Sequence, residues 1–595
     1  MADPRAKSVF TMALLLLMVL MGTMACSRHD SDSGNAATTP EETASSYDIV
    51  IKNGRVIDPE TGRDEIATVG IKAGVIKTIS AGSGVDVPHL DQCIVIDATG
   101  LIVSPGFINT HTHEGNGIAG NQYIESSKAY VQDGITFWLG GNCGLSATGV
   151  RIKFNDIWID TRTGQTLPQY LDDAARGGLY TNYGTLSGNI TLRGEAGLEH
   201  GQAETAEQIA EMVEMLKQDL AAGAFGVSFG PFYDPGTTKE AMTALSQASH
   251  AAGGMAAIHT RNPMFNLWNV LNPNTSPSGS SGLDIILFKE SLTEAIDVCR
   301  ASGAPFIISH LTDMAYNGST KWSLDTIESA ITKEKLPMAA DVIGYDTFMN
   351  DLYALTRFGQ IPVRLLMLFA GAKPDQFWMG EDVYIDGKLY MQAYERFKDI
   401  GQIETLVQAF KDGKASAGQD SEALSVNIWC NIVEPENTKL ALTRPFVFMG
   451  NDGGVSKNKK TGELSVQPRT YACFSRLLGH WSRDEKAITL KQSLFKATIA
   501  PALWLGLEKK GRLQVGYDAD ITIFNPNTII DRAKPEPGKL NIPPVGIAYV
   551  IVNGEIVVEQ GSLTGKTPGK LIRRTWQIWG ETQKIIALYQ QRFPS

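Results

Sequence analysis

Clusters of Lys and Arg are missing from this 595-residue chain, and its formal net charge is −11. A nucleic-acid surface needs concentrated basic charge, so that class of partner is disfavoured. Cysteine is scarce, at six residues. Cys93, Cys143, Cys299, Cys430 and Cys473 follow Cys26, an odd set with no spacing that suggests a disulfide framework. Cys299 and Cys473 read as buried free thiols, whereas Cys143 lies between glycines where an apolar run ends. Histidine is scarce too, at nine. Four of the nine fall at the ends of short apolar runs, a placement that turns attention to metal chemistry.

The N-terminus reads as an export signal. Arg5 and Lys7 precede the apolar run Met12–Met21, and small residues lead to Cys26. The run is short for a spanning helix. Thr23-Met-Ala-Cys26 resembles a bacterial lipoprotein signal, although leucine is usual where Thr23 stands. The expectation is a lipid on Cys26 and a place on the periplasmic face of a bacterial membrane. Simple cleavage near Ala25 would instead leave a soluble periplasmic protein. Membrane contact is expected only through the lipid. Residues 26–46, rich in Ser, Asp, Thr, Ala and Glu, read as a flexible tether.

The run Leu101–Thr110 leads into His111-Thr-His113. Side chains two apart on a strand share a face, so both imidazoles are expected to point one way. Such a pair can chelate a divalent metal. Similar runs end at Cys143, His259, His310 and Asp452. Lys239–Ala252 and Glu290–Ser302 read as helices, each stopping at a glycine before the next apolar run. Helix, short strand, polar residue and loop is the rhythm of a β/α barrel, whose chemistry sits where its strands end.

The expected fold class is therefore α/β: a (β/α)8 TIM-like barrel over residues 105–505, longer than usual and carrying insertions near 262–282 and 373–425. The second insertion reads as polar and partly helical. Residues 47–104 and 506–572 alternate as short strands, with Asn-Gly and Ala-Gly pairs as turns. Val550–Val557 even echoes Val50–Ile57. A small composite β-sandwich built from both chain ends is expected. Residues 573–595 form a helical tail.

These residues carry a resemblance. Val103-Ser-Pro-Gly-Phe-Ile-Asn-Thr-His-Thr-His113 resembles the first metal motif of the amidohydrolase superfamily. Gly141-Asn-Cys-Gly144, Gly223–Ser228, His259-Thr-Arg-Asn262, Ile308-Ser-His310, Gly450-Asn-Asp-Gly453, Pro468-Arg-Thr-Tyr471 and Gly511–Asp520 resemble the D-aminoacylase (N-acyl-D-amino-acid deacylase) family, over roughly residues 47–572. The resemblance implies a hydrolase of linear amides that acts on a small molecule. It implies one tightly held zinc on Cys143, His259 and His310, with a weaker second position at His111 and His113. It makes Asp452 the proton shuttle, Arg469 the holder of the substrate's α-carboxylate, and Tyr345 a tyrosine that polarises the scissile carbonyl. Three departures stand out. The family's His-His-Lys is His310-Leu-Thr312 here, Pro263 replaces a glutamate, and Gln467 replaces a histidine. The alternatives are a cyclic-amide hydrolase of dihydroorotase or hydantoinase type, and a non-catalytic binding lipoprotein on the same scaffold. The oligomeric state is not legible.

Overall fold

The computed structural model describes residues 47–82, 92–113, 122–146, 151–154, 157–160, 165–266, 286–287, 289–351, 362–417, 427–457 and 464–594. All lie within the unit Ser45–Ser595. The export segment, the tether and most of the 262–282 insertion fall outside the described residues. No described helix is long and apolar enough to cross a membrane.

Short apolar strands alternate with helices through the middle of the chain. They are β1 (Phe107–Asn109), β2 (Ile135–Gly140), β3 (Asn182–Thr185), β4 (Ser187–Gly188), β5 (Gly226–Phe229), β6 (Met255–Ile258), β7 (Phe306–Ile308), β8 (Met338–Ile343) and β9 (Val447–Gly450). Parallel pairing runs β1–β2–β3 and β4–β5–β6–β7–β8–β9. Only Leu186 separates β3 from β4. A parallel bridge, Thr112 to Gly453, joins the segments that follow β1 and β9. The strands are buried throughout, as parallel strands covered on both faces must be. Trp138 and Tyr183 face each other across the β2–β3 register, stacked at 4.2 Å. Such a pair adds about 0.5–1.5 kcal/mol beyond its buried area.

The helices that return the chain start and stop for local reasons. Thr238 caps Lys239–Ala251 by accepting the Ala241 N–H at 3.1 Å. Glu290–Ser302 ends at Gly303, whose φ of 69° is the left-handed turn that glycine makes without steric cost.

The chain ends meet in one nine-stranded sheet. Ile102–Pro105 from the N-terminal side pairs antiparallel with Ile521–Phe524 from the C-terminal side. The long strand Ile49–Asp58 pairs with Ile94–Asp97 along its first half and with Ile102–Pro105 further on. Its inward side chains, including Ile49, Ile51 and Val56, join Ile521, Ile523 and Ile551 in a separate apolar core.

Several expectations are corrected. The run Leu101–Thr110 is two strands in two different sheets, divided at Gly106, where an added Cβ would lie 2.2 Å from the Thr136 hydroxyl. His111 and His113 therefore lie beyond a strand that stops at Asn109, and strand alternation does not set their directions. Asn53-Gly54 is not a turn but a register shift within one strand, with Asn53 at φ 61°. The region near 373–425 is not simply polar. It contributes short strands and the helix Ile400–Lys411 around its own core of Phe377, Met379, Val383, Phe397, Ile403 and Leu406. A hairpin, Arg151–Phe154 with Ile157–Asp160, was not anticipated from the pattern.

Candidate metal centre

One nitrogen each from His111 and His310, the Cys143 sulfur and one Asp452 oxygen all lie within 4.8 Å of one another. Each comes from a segment that leaves the same end of a parallel strand: β1, β7, β2 and β9 in turn. Cys143 Sγ is 3.4 Å from His111 Nε2 and 3.5 Å from His310 Nε2. Asp452 Oδ1 is 3.4 Å from His111 Nε2 and 2.9 Å from His113 Nε2.

The backbone is shaped to bring them together. Asp452 N–H donates to His111 C=O at 2.9 Å, and His113 N–H donates to Gly453 C=O at 2.7 Å. The Asn109 side-chain oxygen accepts the N–H of both His111 and Asn451 at 3.2 Å. Cys143, His310 and Asp452 all have positive φ, at 55°, 31° and 41°. That conformation is costly for residues with a Cβ and persists where the surroundings impose it, most often at functional sites. Gly230 packs against the Cys143 carbonyl so closely that an added Cβ would lie 2.2 Å from that oxygen.

Asp341, within the wholly buried strand β8, holds two of the four donors. Its Oδ2 accepts from His111 Nδ1 at 3.1 Å and its Oδ1 from the His310 N–H at 2.6 Å. With Nδ1 bonded to Asp341, Nε2 is the ring nitrogen turned toward Cys143 and Asp452. His259 follows β6, its ring 4.4 Å from that of His310. Both of its ring nitrogens are buried without a hydrogen-bond partner among the described residues, as is Nδ1 of His310. Phe232 and Tyr233 pack on the His259 ring at 4.8 and 4.7 Å.

The electrostatics suit a cation. Burial opposes a thiolate at Cys143, but the adjacent His111 and His310 hold its pKa well below the ordinary thiol value. Burial also opposes charge on Asp452, yet Arg469 and the histidines hold it well below the usual carboxylate range. Burial and the neighbouring His310 push His259 down to about 4, which leaves it neutral. A thiolate, a carboxylate, the neutral imidazole of His259 and buried ring nitrogens with no hydrogen-bond partner among the described residues form a donor set that fits a borderline-soft divalent metal.

Residues 461–558 match the amidohydrolase family. Over 541 residues the chain is 26% identical to D-aminoacylase of Alcaligenes xylosoxydans xylosoxydans, spanning 89% of this chain and 98% of that protein. The chain resembles the D-aminoacylases of the amidohydrolase superfamily. Two solved structures share its fold. The crystal structure of a D-aminoacylase superposes with a TM-score of 0.67 at 23% identity, covering 89% of this chain and all (100%) of that one. The N-acyl-D-glutamate deacylase of Bordetella bronchiseptica, solved with zinc and a phosphonate inhibitor, gives a TM-score of 0.66 at 23% identity with the same coverage.

The D-aminoacylase resemblance names eight residues, and most converge. His111, His113, Cys143, His310 and Asp452 form the cluster, and His259 borders it. The grouping differs from expectation, because His111 belongs to the tightest set of four and His259 stands beside it. Arg469 is present, but its guanidinium lies between two carboxylates: Nη2 2.5 Å from Asp452 and Nη1 3.3 Å from Asp313. Tyr345 is engaged elsewhere. Its hydroxyl is 3.1 Å from Asp531, and the Arg476 guanidinium lies 4.8 Å from its ring centre. Asp341, Asp313 and Tyr233 were missed. An aspartate inside Met338-Ala-Ala-Asp-Val-Ile343 was a legible signal, because an acid rarely sits in a buried strand without a partner.

Proposed function

We propose that this protein is an exported zinc-dependent amidohydrolase that cleaves the amide of N-acyl-D-amino acids, and that its two parallel sheets together form a (β/α)8 barrel flanked by a composite sandwich. The observation that carries the reading is the convergence of the buried His111, Cys143 and His310 with the largely buried Asp452, beside the ring of His259, whose nitrogens have no hydrogen-bond partner among the described residues. Cys143, His259 and His310 would hold the tight metal, and His111 and His113 the weaker position. Zinc bound there would supply Lewis acidity toward the carbonyl and acidify a water toward neutrality.

The rest of the chemistry belongs to the chain. Asp452 faces the cluster through Oδ1 and is braced through Oδ2 by Arg469. A carboxylate so placed can take a proton from the attacking water and return it to the leaving nitrogen. Asp341 orients His111 and the backbone of His310 and needs no contact with substrate. Burial of nearly every member excludes bulk water and strengthens these interactions.

The test is a substrate panel on purified protein with its metal content measured. N-acyl-D-amino acids should release D-amino acid while the L series and cyclic imides do not. Cleavage of cyclic imides alone would replace this reading with the cyclic-amide one. Metal-loaded protein inert to every amide would favour the binding-protein alternative. The lipid on Cys26 belongs to the same proposal and is tested separately below.

A further inference from the structure

Arg469 is where a substrate's carboxylate is expected, yet it is already shared by two acids. Its Nη2 is 2.5 Å from Asp452 and its Nη1 3.3 Å from Asp313, and all three side chains are largely buried. Asp313 is not a loose surface acid. Its backbone N–H donates to His310 C=O at 2.9 Å, its own C=O accepts the Tyr316 hydroxyl, and its Oδ1 accepts the Thr312 hydroxyl at 3.4 Å. Thr312 stands where the resembling family carries a lysine. One cation thus faces two anions, and the second cation of the family is gone.

A free carboxylate offers only acceptors and brings a negative charge, so Asp313 opposes it. A primary carboxamide offers a carbonyl for an Arg469 N–H and an NH2 for the Asp313 carboxylate. Arg469 Nε, buried and without a partner among the described residues, is a further donor. Donor beside acceptor on the protein matches acceptor beside donor on the amide, with no charge to neutralise.

We infer that Asp313 is a specificity-determining residue that, together with Arg469, adapts this site to N-acyl-D-amino acids whose carboxyl end is blocked as an uncharged amide. The inference rests on the N-acyl-D-amino-acid reading above. Asp313 would meet the end group itself, and its effect is on which end group binds.

The test compares N-acetyl-D-leucine and N-acetyl-D-methionine with their primary carboxamides, using the full zinc-loaded chain. The wild type should favour the carboxamides at least tenfold in kcat/KM, chiefly through KM. Asp313→Asn should move that ratio at least tenfold toward the free acids with zinc content unchanged, and Asp313→Glu should restore the wild-type preference. A merely structural role would lower activity on both series alike. A wild-type preference for free acids overturns the inference whether or not the variants fold, and so does an unchanged ratio in Asp313→Asn. In either case the deacylase reading stands. Inertness to both series, with cleavage of cyclic imides, overturns both.

Discussion

His111 and Asp341 share a buried hydrogen bond of 3.1 Å, and the same carboxylate accepts the His310 backbone N–H at 2.6 Å. One side chain on β8 therefore sets the position of donors that follow β1 and β7. Outer partners of metal-binding histidines are typically worth about 10–100-fold in metal affinity. Asp341→Asn should keep the fold and weaken zinc binding by about that factor, because an amide can still bond but no longer favours the Nδ1 proton. Competition with a chelator measures it, and an unchanged affinity would remove Asp341 from the site.

Asp452→Asn addresses the proton shuttle. The substitution nearly preserves shape while abolishing the base. kcat should fall by about 10²–10⁴-fold, the usual range for general acid–base catalysis, with KM much less affected. Steady-state kinetics on the best N-acyl substrate decides it, and a loss confined to KM would count against the role.

Lys496 gives a prediction about stability and pH. Its side-chain nitrogen is fully buried with no carboxylate partner among the described residues, and it donates to the carbonyls of Arg444 and Val447. Burial pushes its pKa down to about 7 from an ordinary 10.5. Between those values the unfolded chain binds one more proton than the folded chain, so this lysine makes stability rise with pH from about 7 toward 10.5. The slope is about 1.4 kcal/mol per pH unit for one proton. Lys496→Met should remove that component. Urea unfolding between pH 7.5 and 9.5 should show a flatter profile in the variant, and parallel profiles would refute the assignment.

The pattern of helices and strands was largely legible because it is local. Glu290–Ser302 was readable to the residue from its length and its terminal Gly303. What was not legible is what two distant segments decide together. The run Leu101–Thr110 divides at Gly106 because its halves pair with Phe524 on one side and Ile135 on the other, and no local feature announces either partner. Asn53-Gly54 has the sequence of a turn and becomes a bulge because both flanks keep pairing with Arg63–Lys72. The candidate ligands were found from their places at strand ends. Asp313 was passed over because its meaning lies in Arg469, 156 residues away.

Localisation is open to a separate measurement. Thr23-Met-Ala-Cys26 after an apolar run predicts a lipid on Cys26. Cells fed a fatty-acid analogue should label the wild type in the membrane fraction, and Cys26→Ser should be unlabelled. Unlabelled wild-type protein released as a soluble form would support simple cleavage near Ala25 instead.

The central claim is that the buried cluster holds a metal, with Cys143 as its thiolate. Elemental analysis of purified wild type and Cys143→Ala tests it most directly. The account predicts about one tightly bound zinc per wild-type chain, as for a closed structural or catalytic site, and near-complete loss in a variant that remains folded. Full zinc content in Cys143→Ala would contradict it.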